Sequence, residues 1–135
     1  MRELIAKVRD AVPSLHIGVR LCAFDFVPFE DDPASRKGNK KGAGTPSDFA
    51  KALPYNYAFG VDRNNPTTYD LTEPIRFLEM LQELGVNAVN LSAGSPSDNP
   101  HIHRPAMYPP SDGYQPPEDP LICVARQTDV FRKIK

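Results

Sequence analysis

The chain of 135 residues has no tryptophan, only two cysteines, no excess of charge of either sign and no long apolar run. Each shortage excludes something. Cys22 and Cys123 both sit in apolar surroundings and make neither a disulfide framework nor a zinc-ligand spacing. Sixteen Lys and Arg stand against 17 Asp and Glu, a net charge of −1, so there is no electrostatic basis for a nucleic-acid or anionic-membrane partner. No stretch reaches the ~20 apolar residues of a membrane span. The opening MRELIAKVRD lacks the apolar centre of a secretory signal. A 40% hydrophobic share is too high for a disordered chain. The composition therefore reads as a soluble, globular, cytoplasmic protein.

What is abundant is proline, at 15 residues or one in nine, roughly twice the average usage of ~5%. The prolines are clustered, and four segments nearly free of them read as regular structure. Residues 2–12 place Leu4, Ile5, Val8 and Val12 at helical spacing before Pro13. Residues 15–26 alternate Ile17, Val19, Leu21 and Ala23 at the β period within a mostly apolar run. Residues 72–84 read as a helix with Thr72 as N-cap, Glu73 and Pro74 in the first turn, an apolar stripe of Ile75, Leu78, Leu81 and Leu84, and Gly85 as the stop. Residues 86–92 follow at once as a strand. Residues 121–135 read as a last helix, with Arg132, Lys133 and Lys135 at the negative end of its dipole.

Strands alternating with helices of ~12 residues predict βαβ units, a parallel sheet and a right-handed crossover. Short apolar strands predict cover on both faces. The connections are unequal. Loops of about 25–71 and 94–120 follow the strand C-termini, whereas the helix-to-strand links are only a residue or two. Such asymmetry fits a (β/α) barrel, with a doubly wound open sheet as the alternative. A complete barrel needs eight units and ~250 residues. Two strands are therefore expected to be a partial (β/α)8 barrel, with residues 1–135 a fragment of one such domain.

The strings GVRLCAFDFVPF, YDLTEPIRFLEMLQELGVNAVNLSAGSP and NPHIHRPAMYPPSDGYQPPEDPL closely resemble the old yellow enzyme family, the FMN-dependent NADH:flavin oxidoreductase/NADH oxidase group. They are most similar to its members with an enlarged proline-rich loop after the sixth strand. The resemblance covers nearly the whole chain and is least in 36–65. It implies a TIM barrel of which residues 15–23 and 86–92 are the fifth and sixth strands. It makes 1–12 the end of the fourth helix, 72–84 the fifth and 121–135 the sixth. It implies FMN as cofactor, NAD(P)H as reductant, and a small-molecule acceptor that receives hydride from the flavin.

The same resemblance makes Arg20 the cofactor-binding residue. Reduction places negative charge on the pyrimidine edge of the flavin, and a guanidinium that stays protonated stabilises it. The alternative for Arg20 is a structural pair with a neighbouring carboxylate. Cys22 stands where the family motif has serine and reads as a small buried residue, since a nucleophile would need a lowered pKa. In the second loop His101, His103, Arg104 and Tyr108 are candidates to line the acceptor pocket, with Arg104 paired to Asp112 or Glu118 as the alternative. A strand-like backbone would aim His101 and His103 to one side. Two histidines make no metal site. Ser97 and Asp98 replace aromatics of the family loop and His103 replaces glutamine, both bearing on acceptor specificity. The family's carbonyl-holding pair, proton-donating tyrosine and FMN phosphate site match nothing in this chain, so no residue is assigned a catalytic role. The remainder of the barrel is the implied partner, and the fragment alone is expected to be inactive. Gly38, Gly42 and Gly44 lack the strand and helix flanks of a phosphate cradle and read as a solvated loop. Two further alternatives are a non-catalytic proline-rich module (Pro109, Pro110, Pro116, Pro117, Pro120) in a polyproline II conformation and a fragment of another TIM-barrel enzyme.

Overall fold

The computed structural model describes residues 1–106 and 113–135. Helix α1 (Arg2–Ala11) leads to strand β1 (Gly18–Cys22). Helix α2 (Thr72–Glu83) then returns the chain to strand β4 (Ala88–Ser92). β1 and β4 pair in parallel, in register from Gly18↔Ala88 to Cys22↔Ser92. The protein is thus mixed α/β with a two-stranded parallel sheet, and the described residues close no barrel.

α2 stops where its sequence says it should. Gly85 has φ +71°, its N–H donates to the Gln82 carbonyl and that of Val86 donates to the Leu81 carbonyl. This is a Schellman turn, and its apolar partners Leu81 and Val86 are both buried with Ile5 of α1. At the other end the expected cap is displaced by two residues. Leu71 occupies the N-cap position, and the Asp70 carboxylate accepts both the Thr72 N–H (2.9 Å) and its hydroxyl (2.7 Å). A carboxylate is a stronger acceptor than the threonine hydroxyl it replaces.

The strand expected over 15–26 is shorter than its apolar run. Beyond Cys22 alternate N–H groups go to different segments: Ala23 to Ser92, Asp25 to Phe59, Val27 to Pro66 and Phe29 to Asp98. The extended chain therefore leaves the ladder and becomes the spine of a loop layer. Phe24, Phe26 and Val27 from this spine bury with Tyr55, Val61 and Leu71, with Ala93 after β4, and with Ile102 and Val130. The larger core thus lies beyond the C-terminal ends of the strands. Its loops carry elements of their own: an antiparallel pair β2 (Phe29–Asp31) and β3 (Gly44–Pro46), helix α3 (Pro100–His103) and two 3₁₀ turns. Gly42 and Gly44 are buried parts of this layer, while Lys37, Lys40 and Lys41 are exposed.

Among the described residues only one face of the parallel sheet is covered, and Val89 beside Val19 stays exposed even there. Val19 packs on the Ile5, Leu81 and Val86 cluster, while Gly18, Arg20, Ala88 and Asn90 on the other face are exposed. The expectation of cover on both faces is met on one only. Helix α4 (Pro120–Ile134) begins at a proline capped by Asp119, whose carboxylate accepts the Leu121 N–H. Pro120 therefore belongs to a helix and not to a polyproline II string. No helix among the described residues is long and apolar enough to cross a membrane.

Gly85→Ala is expected to lower unfolding free energy by roughly 1 kcal/mol, because a Cβ penalises the left-handed conformation. Urea denaturation of the two proteins checks it.

Candidate functional site

β1 and β4 run in the same direction, so their C-terminal ends open to one side, where Cys22, Asp25, Ser92 and Gly94 converge. Arg20 lies two residues before Cys22 of this rim, on the face that the described residues leave uncovered, between Gly18 and Cys22 and level with Asn90. Among the described residues it makes no ion pair and no side-chain hydrogen bond. The paired-arginine alternative thus has no carboxylate to supply it within the described residues.

Asn99 organises the rim, and sequence reasoning passed it over. Its side chain is wholly buried. Its Oδ1 accepts the Ser95 N–H (2.6 Å), and its Nδ2 donates to the Phe26 carbonyl (2.8 Å) and to Asp25 Oδ1 (3.3 Å). One amide therefore joins the loop after β1 to the loop after β4. Gly94 permits this contact: it sits at φ +70°, and a Cβ there would meet Asn99 Oδ1 at 2.7 Å. The available signal was Asn99 before Pro100, which reads as a helix cap; the amide instead turns inward and makes no cap bond.

Burial raises the Asp25 carboxyl above the usual carboxylate range, and Asp98 adds to this, while the Asn99 bond and His103 oppose it. Burial also raises the Cys22 thiol, with Asp25 contributing. Cys22 Sγ–H donates to the carbonyls of Phe24 (3.1 Å) and Gly94 (3.6 Å). A cysteine held this way is favoured as the neutral thiol. Asp25, by contrast, is half-buried at the strand ends and is the carboxyl of this rim best able to retain a proton.

α3 separates the two histidines that a strand would have aligned. His101 is buried, with Nδ1 2.7 Å from the Tyr114 hydroxyl and its ring 4.7 Å from that of Phe29. Burial lowers its pKa to about 4, so it is neutral at physiological pH. His103 turns instead toward the rim, with Nδ1 3.3 Å from the Ala93 carbonyl. Arg104 is exposed. Glu118 is taken by Arg126 in a two-pronged pair (both 2.7 Å), so the Arg104–Glu118 alternative fails. Tyr108 and Asp112, and with them Pro109 and Pro110, lie outside the described residues. Of the described pocket candidates, His101, His103 and Arg104, the structure therefore brings only His103 to the rim beside Asp25. A separate cleft of about 520 Å³ opens at the start of α2, lined by Tyr55, Asn56, Arg63 and Arg76 together with the acids Asp70 and Glu73.

Asn99→Ala is expected to cost roughly 3 kcal/mol, since it leaves the Ser95 N–H and the Phe26 carbonyl buried without a partner. Thermal unfolding measures it. Cys123 donates to Glu118 Oε1 (2.9 Å), and burial pushes its thiol up to about 12. Iodoacetamide is expected to label it at least roughly tenfold more slowly than a free cysteine at neutral pH, as read by mass spectrometry of the folded protein. Comparison of the chain with known protein families, curated proteins and solved structures gives no match.

Proposed function

We propose that this chain forms part of an FMN-dependent NAD(P)H oxidoreductase of the old yellow enzyme type, in which β1 and β4 are neighbouring strands of a (β/α)8 barrel. The observation that carries the reading is Arg20. It presents a guanidinium from the uncovered face of a parallel sheet, without an acidic partner among the described residues and with small residues, Gly18 and Cys22, at the next positions on the same face. That is room for a flat group whose charge becomes negative. The sheet supports the reading too, since the edges and the face that the described residues leave open are where further strands and a bound group would lie in a barrel.

Bound FMN would supply two-electron chemistry between NAD(P)H and a small-molecule acceptor. The chain's own residues do the rest. Arg20 would hold the pyrimidine edge of the flavin, where a guanidinium that stays protonated would stabilise the charge gained on reduction. Asn99 holds the two strand-end loops at fixed separation. His103, with Asp25 beside it, borders the space an acceptor would enter. Cys22 supplies packing only.

The test extends the polypeptide with the strands encoded on either side of it and measures bound flavin by absorbance and NAD(P)H oxidation by loss of reductant. The completed protein is expected to hold flavin and oxidise NAD(P)H, the 135-residue chain to do neither. Arg20→Ala in the completed protein is expected to make the flavin harder to reduce. A completed protein that purifies without flavin and fails to bind added FMN would sink the proposal.

A further inference from the structure

Residues 113–119 run across the loop layer between the last described part of the second loop and α4, fastened at three points. The Tyr114 ring is buried in a socket of Phe29, His101 and Gly44. Gly44 is the floor of that socket, for a Cβ there would lie 2.4 Å from the ring. Gln115 exchanges backbone bonds with the β2–β3 hairpin: its N–H donates to Gly42 (2.7 Å), and its carbonyl accepts from Gly44 (2.9 Å). Glu118 closes the far end on Arg126 and Cys123.

We propose that residues 113–119 form an acid-released strap, held shut over α3 and the β2–β3 hairpin by neutral His101 and let go when that imidazole takes up a proton. This inference does not depend on the flavin reading.

The geometry makes the bond sensitive to charge. With the ring neutral and its proton on Nε2, the Tyr114 hydroxyl donates to a bare Nδ1. Once protonated, Nδ1 becomes a donor, and the hydroxyl must surrender its own hydrogen to a new acceptor inside a closed socket. The cation would also be buried. Tyr114 and Glu118 face His101 from the strap, Arg126 and Cys123 lie behind them on α4, and Asp98 precedes α3. Glu118 favours the cation and Arg126 opposes it, but Glu118 is already neutralised by its two-pronged pair, so burial dominates.

The direction of the effect follows. The closed strap holds His101 at about 4 against an ordinary 6.5, so the open form binds the proton first. Closure is complete above the ordinary value and weakens as the pH falls toward the lower one. Because α3 also carries His103 to the Ala93 carbonyl, release of the strap loosens the His103 side of the strand-end rim.

Amide hydrogen exchange by NMR tests this on the whole chain. Between about pH 7 and about pH 4.5, protection at Gly44 and Gln115 is expected to fall roughly 100-fold while the amides of β1 and β4 keep theirs. The His101 ring is followed in the same samples. In His101→Gln, whose amide oxygen still accepts the tyrosine hydrogen, strap protection is expected to lose this pH dependence. Should that variant not fold, the wild-type data decide alone. Strap amides that stay protected through the range, that open together with the sheet, or that open with His101 titrating near its ordinary value overturn the proposal. So does a folded His101→Gln protein that follows the wild-type curve.

Discussion

Three hydrogen bonds from one buried amide hold the strand ends in place. Asn99 reaches the backbone of the loop after β1 at Phe26, its carboxyl at Asp25, and the backbone of the loop after β4 at Ser95. A primary amide suits the position because it donates and accepts at once and carries no charge into the interior. An aspartate would bring charge against Asp25, and a leucine would strand two backbone groups. Gly94, whose backbone leaves room for the amide, and Phe24, whose carbonyl accepts the Gly94 N–H, complete the same junction.

Around this junction the molecule divides into two apolar clusters of different origin. The smaller is what the helical and β periods foretell: Ile5, Leu81 and Val86, packed under one face of the sheet. The larger is assembled mainly from the loops beyond the strand ends, with Phe24, Phe26 and Val27 as its spine and Val130 of α4 packed against them. Such a core depends on backbone hydrogen bonds made singly to scattered partners instead of a continuous ladder. Each of those partners is therefore a separate condition for burial of the apolar side chains beside it.

This division explains what the sequence revealed. α1, α2, α4 and the two parallel strands are legible because their apolar residues repeat and their ends carry proline, glycine or acid. The Schellman turn at Gly85 is legible for the same reason. The cap of α2 shifts to Asp70 because two neighbouring residues compete for one set of donors, and only geometry settles the competition. The length of β1 is misjudged because an apolar run continues whether its N–H groups face a strand or a loop. Arg20 is singled out by the family resemblance and not by any pattern of its neighbours; that it has no acidic partner among the described residues is a fact of placement. Asn99 and the opposed directions of His101 and His103 join residues far apart in the chain or depend on a short helix, and the Glu118–Arg126 pair spans the start of α4; none of them leaves a periodic mark.

The larger core has a consequence for how such a protein can change. In most α/β domains the packed interior and the variable loops are different residues, so loops can be rewritten at little cost to folding. Here the loops beyond the strand ends are themselves the interior. Substitutions that reshape the space near Asp25 and His103 would fall within a side chain or two of Phe24, Phe26 and Ala93. A change in the shape of this rim is therefore confined to the few positions that face outward from it, and the rest evolve only in concert.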